Sequence, residues 1–154
     1  MDGKICLIIK NKRDMKELKI EMNVSIEAIE EVLVTALEGG INYWGCLDGE
    51  DLNVLYDWLD EKIKSGELKR DDRVHYGWMD AMFQGCPHKI AVYDIEDDEL
   101  LGYLSMENIG KGLQLAVENY PKTYEQHFPE YNDGDVISAD VLFHLMVMGD
   151  VVYG

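Results

Sequence analysis

The apolar and polar positions of the first forty residues predict two strands followed by a helix. An uninterrupted apolar run within residues 3–10 is typical of a buried strand. Apolar and polar residues alternate along 15–24, which indicates a half-buried strand that pairs with the first as a hairpin. Apolar residues then recur at helical spacing along 26–38, and Ser25 has the side chain of a helix N-cap.

Two consecutive glycines mark the end of this first helix. Gly39 is predicted to take the left-handed conformation that ends helices, and Gly40 lets the chain turn again without a Cβ clash. The residues that follow, Asn42, Tyr43 and Trp44, combine an amide with two flat rings. These side chains are suited to a planar ligand: the amide of Asn42 could form hydrogen bonds with its polar edge, and the ring of Tyr43 or Trp44 could stack on its face. In the alternative interpretation, Tyr43 and Trp44 pack in the core beside the helix.

The rest of the pattern continues as a mixture of helices and strands. A helix is predicted over residues 52–63, followed by a strand over 73–83. Two more strands are predicted over 89–95 and 100–104, joined by a tight acidic hairpin. The remaining predicted elements are a helix after Ser105, a helical turn over 122–128, a helix over 139–148 capped by Ser138, and a short strand over 150–153. Together these predict an α+β fold in one domain, residues 1–154, with an antiparallel sheet of about five strands and three to four packed helices.

The last predicted helix, which runs from Ala139 to Met148, is apolar almost all round. Only Asp140 and His144 interrupt it. A helix without a polar face is either central in its fold or buried against another subunit. The sequence therefore favours a homodimer formed through residues 139–148, with a central position in the fold as the alternative.

Composition limits the class of protein. A chain of 154 residues with 47% hydrophobic residues is typical of one globular domain. No apolar run approaches the roughly 20 residues that span a bilayer, and the N-terminus does not resemble a signal peptide. Three cysteines at unpaired spacing indicate reduced thiols. A cytoplasmic location is expected.

Charge is the strongest bulk signal. The chain has 31 acidic and 14 basic residues, a net charge of −17. Such a surface disfavours direct binding of nucleic acid or anionic membranes, and it favours a basic protein partner or simply solubility. The carboxylates expected to meet a partner are Asp94, Glu96, Asp97, Asp98 and Glu99, with a second patch of Glu125, Glu130, Asp133 and Asp135.

Familiar catalytic motifs are missing from the sequence. It contains no P-loop, no GxSxG, no HExxH and no CxxC. Two weaker patterns remain: Cys86 and His88 with a further histidine as zinc ligands, and Cys46 with His75 or His144 as a nucleophile and its base. Neither has the supporting residues of a known motif, so no catalytic residue, metal or cofactor is predicted, and binding is favoured over catalysis.

Three segments resemble uncharacterised small acidic proteins of bacteriophages and prophages. They are VTALEGGINYW at residues 34–44, the GLQL sequence at 112–115 within the helix at 109–117, and the ending ADV…GDVVYG at 139–141 and 149–154. The resemblance implies no reaction. It implies an accessory protein that acts in the cytoplasm of a bacterial host, where such proteins often counter host defences.

Two hypotheses follow. In the first, the acidic surface imitates nucleic acid and occupies a basic groove of a host protein such as a nuclease. In the second, a pocket at the GGINYW stretch binds a small nucleotide-like ligand. The residues expected to form that pocket are Gly39, Gly40, Asn42, Tyr43, Trp44, Asp150 and Tyr153.

Overall fold

The fold is α+β. The computed structural model describes the backbone of residues 2–11, 16–129 and 133–154, and the side chains from residue 21 onward within these ranges. The elements in chain order are β1 (Asp2–Asn11), β2 (Lys16–Ser25), α1 (Ile26–Thr35), a π-helical turn (Ala36–Gly40), β3 (Gly45–Leu47), α2 (Gly49–Lys64), α3 (Gly77–Phe83), β4 (Ile90–Asp94), β5 (Leu100–Leu104), α4 (Met106–Asn119), α5 (Pro121–Glu125) and α6 (Val136–Met148).

The strands of the described ranges form two separate antiparallel sheets. β1 pairs with β2, and β3, β4 and β5 form a three-stranded sheet with β4 in the centre. The prediction of one sheet of about five strands with three to four helices is therefore not confirmed in this detail. The short β3 adds to the edge of β4 immediately after the aromatic stretch, so it links the first helix to the acidic hairpin between β4 and β5.

The core is built around α6. This helix contacts α1, the π-helical turn, α4, α5 and β5. Its residues from 142 to 147 are all buried, which explains its apolar character on every side. The homodimer through residues 139–148 stays a prediction, but burial within this chain already accounts for the pattern that motivated it.

Two glycines let α6 approach its neighbours closely. A Cβ at Gly112 of α4 would lie 2.5 Å from the Cα of Met146, and one at Gly102 of β5 would lie 2.2 Å from the carbonyl oxygen of Val147. Separations below 3.0 Å are not tolerated by real Cβ atoms. The absence of a side chain at these two positions therefore sets the distance of α4 and β5 from the central helix.

The predicted left-handed conformation of Gly39 is wrong. The helix does not stop there but widens into the π-helical turn, and Ile41 N–H donates to the carbonyl of Ala36 at 2.9 Å. Gly40 allows the π-helical turn to pack closely against α6, because a Cβ there would lie 3.2 Å from both the Cβ of Asp140 and the carbonyl oxygen of Val136. The glycine pair thus seats the end of the first helix against α6.

Three further predictions of local structure are wrong. Residues 77–83 form α3 and not a strand, because residues 78–83 are buried on all sides and their apparent alternation carries no information about period. Asp135, not Ser138, is the N-cap of α6, and Ser138 completes a capping box as the third helical residue. Residues 150–153 form no strand. Ser25 is the N-cap residue of α1 as predicted, but its hydroxyl accepts from no backbone N–H of the helix and donates instead to the side chain of Glu27 in the first turn.

Candidate functional site

An acidic hairpin tip joins β4 to β5. We use this name for Glu96, Asp97, Asp98 and Glu99, which are all exposed. No described residue forms an ion pair with any of these four carboxylates. The tip therefore presents four consecutive negative charges that nothing in the described chain neutralises.

Hydrogen bonds hold the tip in a defined turn. Asp94 N–H donates to the carbonyl of Glu99 at 2.8 Å, and Asp98 N–H donates to the carbonyl of Asp94 at 3.1 Å. Two side chains accept from the backbone inside the turn: Asp94 from Glu96 N–H at 2.7 Å, and Asp97 from Glu99 N–H at 3.0 Å. Asp98 has a φ of 58°, a conformation that Asp tolerates better than most residues. The charges are thus arranged before any partner arrives.

Other acidic residues are paired within the chain. Arg73 lies 3.0 Å from Asp71 and 3.7 Å from Glu27, beside a cavity of about 360 Å³ that the buried carboxylate of Asp80 also lines. Asp80 accepts from Asp71 N–H at 2.9 Å and from the amide of Gln84 at 2.6 Å. Further ion pairs join Lys62 to Glu67, Arg70 to Asp60 and Lys111 to Glu107. Unlike these carboxylates, those of the acidic hairpin tip form no ion pair with a Lys or Arg side chain of the described residues.

The second predicted acidic patch is divided by the structure. Asp135 caps α6 by accepting from Ser138 N–H at 2.8 Å, and this bond is the main cause that holds the pKa of Asp135 below its usual value. Glu125 at the end of α5 and Asp133 are exposed. Glu130 lies outside the described residues. The carboxylate of Asp135 therefore stabilises the start of α6 and is not simply part of an acidic surface.

Trp44 is a core residue. It is 1% exposed, and the backbone around it leads directly into β3. The ring of Tyr153 stacks on it with centroids 5.4 Å apart and planes at 10°, and the ring of His144 lies 4.3 Å away at 36°. Side chains of this chain therefore cover the Trp44 ring that was predicted to stack on a ligand.

Asp140 of α6 gathers the aromatic stretch onto the central helix. One carboxylate oxygen accepts from the indole N–H of Trp44 at 2.8 Å, and the other accepts from the hydroxyl of Tyr43 at 2.8 Å. Burial and this hydrogen bond raise the pKa of Tyr43 to about 12, although the ring is 51% exposed. Tyr43 therefore keeps its proton while about half of the residue is exposed to solvent.

His144 joins the segment that follows α6 to the same site. Its Nε2 accepts from Tyr153 N–H at 3.2 Å, so the proton resides on Nδ1, which lies 2.8 Å from the carbonyl oxygen of Asp140. The Tyr153 hydroxyl donates to Asp94 at 2.6 Å, which raises the pKa of Tyr153 to about 12 and holds the pKa of Asp94 below its usual value. Both ring nitrogens of His144 are therefore engaged within the chain.

The remaining predicted pocket residues lie at the edge of this cluster. Asn42 is exposed and its amide donates to the carbonyl of Glu38 at 3.4 Å. Asp150 is exposed and accepts from its neighbour Val151 N–H at 2.8 Å. Gly154 lies against Tyr43, since a Cβ there would be 3.3 Å from its hydroxyl. The structure thus brings Tyr43, Trp44 and Tyr153 together, while Asn42 and Asp150 make local bonds.

Sequence reasoning missed Asp140 and His144 as the centre of this cluster. Asp140 was noted only as an interruption in an apolar helix, and His144 also as a possible base for Cys46. A lone carboxylate on such a helix was the available signal, because a buried charge needs hydrogen-bond donors.

In the described part of the chain, no three His, Cys, Asp or Glu side chains are arranged to hold a metal ion.

Comparisons with protein-family models, with curated proteins and with solved structures find no match for this chain. No helix of the described ranges combines the length and apolar character that crossing a membrane requires. The function is therefore inferred from the residues and geometry of the chain itself.

Proposed function

We propose that this protein acts by stoichiometric binding, with the acidic hairpin tip as the surface that meets a basic partner. The observation that carries the proposal is the set of four exposed carboxylates, fixed in one turn, without a cation in the described chain to neutralise them. Such a charge cluster adds nothing to folding by itself. Opposed potentials accelerate association and select the partner.

The surroundings of the tip supply apolar contact area. Ile95 is 42% exposed, and its N–H donates to the carbonyl of Trp44 at 3.1 Å, which places the tip beside the aromatic stretch. Tyr43 adds a half-exposed ring held by Asp140. Tyrosine is one of the residue types that most often dominate the binding energy of an interface.

The partner we propose is a basic nucleic-acid-binding protein of a bacterial host, such as a nuclease. The resemblance to phage proteins supplies the setting, and the net charge of −17 supplies the sign. Exposed carboxylates can take the place of the phosphates that such a groove normally binds. A protein with this surface would inhibit by occupying the groove and would not need to catalyse a reaction.

The nucleotide-pocket hypothesis stays a prediction with less support. Trp44 has its ring covered by Tyr153 and His144, and its N–H is taken by Asp140. Both neighbouring carboxylates, Asp94 and Asp140, would repel a phosphate group. A flat ligand would have to displace Tyr153 before it reached the indole.

The experiment is a pull-down from a bacterial lysate followed by binding kinetics on each purified partner. We compare the wild type with a tip variant in which Glu96, Asp97, Asp98 and Glu99 become Gln or Asn. The expected partner is basic and is displaced by duplex DNA. The association rate should fall roughly tenfold in the tip variant and should also fall as salt is raised.

A matched variant controls for total charge. It neutralises Glu50, Asp57, Glu61 and Asp72, which are also exposed and for which no ion pair is recorded in the described ranges. It loses four charges like the tip variant but leaves the hairpin unchanged. Equal association rates for the two variants would refute the tip as the binding surface, and capture that DNA does not compete with would refute the proposed imitation of nucleic acid.

A further inference from the structure

The segment that follows α6, residues 150–154, forms neither a helix nor a strand. Val151 and Tyr153 are half-buried against the core, whereas Val152 between them is 60% exposed. Within the described residues, every hydrogen bond of this segment involves a side chain of the segment or of its partner. The segment can therefore dock or detach without breaking the backbone hydrogen bonds of a sheet or a helix.

Tyr153 joins this segment to two parts of the fold. Its ring stacks on Trp44 with centroids 5.4 Å apart, and its N–H donates to Nε2 of His144 at 3.2 Å. Its hydroxyl donates to Oδ2 of Asp94 at 2.6 Å. Trp44 and His144 are core residues, whereas Asp94 is the last residue of β4, where the acidic hairpin begins. One residue therefore connects the core to the base of that hairpin.

Asp94 carries this contact into the turn. Its Oδ1 accepts from Glu96 N–H at 2.7 Å, while its Oδ2 accepts from the hydroxyl of Tyr153. Its carbonyl oxygen accepts from Asp98 N–H at 3.1 Å, and its N–H donates to the carbonyl of Glu99 at 2.8 Å. The Asp94 carboxylate cannot rotate without breaking the bond to the turn or the bond to Tyr153. The Tyr153 hydroxyl therefore fixes the side chain around which the turn is built.

The acidic hairpin tip depends on such support because its own charges work against the turn. Its four carboxylates are adjacent and exposed, and like charges this close repel each other. Asp98 also has a left-handed backbone, with a φ of 58°, which is less stable than the right-handed form for a residue with a Cβ. Without the hydroxyl of Tyr153, the Asp94 carboxylate would lose one of its bonds and the repulsion would loosen the turn.

We infer that residues 150–154 form a latch that regulates the acidic hairpin tip, and this inference rests on the binding role proposed for that tip. With the latch docked, the tip is ordered before a basic partner arrives. With the latch released, the partner must order the tip as it binds, so its affinity decreases. The coupling is reciprocal, because a partner bound to the ordered tip favours the docked latch. Tyr153 is a positioning residue, and the carboxylates of the tip contact the partner.

The first measurement needs no partner. Amide hydrogen exchange, followed residue by residue by NMR, compares the wild type with Tyr153→Phe, which keeps the ring and removes only the hydroxyl. The N–H groups of Glu96 and Asp98 should exchange about threefold to tenfold faster in the variant, because the turn opens more often. Tyr43→Phe is the matched control: it also removes a hydroxyl–carboxylate bond, to Asp140 at 2.8 Å, but leaves the hairpin untouched. It should not change the exchange of these two groups.

The second measurement uses a peptide of ten lysines as the basic probe, with binding followed by calorimetric titration at low salt. Tyr153→Phe should bind the peptide about threefold more weakly than the wild type, because binding must then also order the turn. Tyr43→Phe should bind it like the wild type. In the reverse direction, saturating peptide should slow the exchange of the Tyr153 N–H, which donates to His144.

The latch is overturned if Tyr153→Phe leaves the exchange of Glu96 and Asp98 as slow as in the wild type, or if Tyr43→Phe accelerates it equally. It is also overturned if the wild type and Tyr153→Phe bind the peptide equally while neutralisation of the tip abolishes binding. If neutralisation of the tip leaves peptide binding unchanged, the binding role proposed for the tip fails instead. The exchange measurement then still decides whether the latch orders the turn.

Discussion

Alanine at Gly112 should destabilise the protein although it improves the helix propensity of α4. The new Cβ would lie 2.5 Å from both the Cα and the amide nitrogen of Met146, whereas ordinary contacts of this kind are 3.4–4 Å. The two helices must therefore separate by about 1 Å, since backbone atoms cannot rotate away as a side chain can. Overpacking of a tight core typically costs about 1–3 kcal/mol.

Gly110 provides the matched control on the same helix. A Cβ there meets nothing within 4 Å, so Gly110→Ala gains only the propensity term of about 0.5–1 kcal/mol. The same gain applies at Gly112, so the middle of the overpacking range, about 2 kcal/mol, becomes a net loss of about 1–1.5 kcal/mol. Two identical substitutions two residues apart should change stability in opposite directions.

The assay is urea unfolding at neutral pH, followed by circular dichroism, with thermal unfolding as a second readout. A loss of about 1–1.5 kcal/mol corresponds to a decrease in Tm of several degrees, roughly 2–4 °C per kcal/mol for a domain of this size. The reasoning would be refuted if Gly112→Ala were as stable as the wild type or more stable. Destabilisation by Gly110→Ala would instead show that α4 is packed on a different face.

Two other predictions concern buried polar groups. Asp140→Ala should lower the free energy of unfolding, measured with urea, by about 2 kcal/mol, because the buried indole N–H of Trp44 loses its acceptor. Asp57→Ala is the exposed control. A loss below about 0.5 kcal/mol for Asp140→Ala would contradict the role given to Asp140. Burial lowers the pKa of His127, with Asp135 opposing the shift. As pH falls below about 6.5, the unfolded chain therefore binds a proton first and stability should decrease. His127→Gln should flatten that pH dependence, and an unchanged slope would exclude His127 as its source.

Periodicity in the sequence predicted the elements whose two faces differ. The strands near 90–94 and 100–104 and the helix after Ser105 are found where the pattern placed them, and Ser105 caps α4 through Asn108 N–H. The α+β class follows from the same alternation. α3 was missed because all residues from Trp78 to Phe83 are buried, and a segment with no exposed face has no readable period.

The candidate site was only partly visible in the sequence. Local chemistry pointed to the acidic tip and to the aromatic stretch, since both are continuous in the chain. The bond from Trp44 to Asp140 joins residues 96 positions apart, and no single sequence displays such a pairing. The conformation of Gly39 was mispredicted because glycine serves both left-handed backbone and close approach, and only the neighbouring helix decides which.

The docking of Tyr153 on Trp44 governs how the protein can be labelled. Tyr153 and Gly154 are held between Asp94 and Tyr43, so a fluorescent protein or affinity tag attached at Gly154 would lie close to Asp94, where the acidic hairpin begins. Its bulk would screen the surface under test and its linker would pull on the stacked ring. Ser65, exposed in the turn after α2, is a better attachment point after replacement by cysteine, provided that the exposed Cys46 is changed to serine.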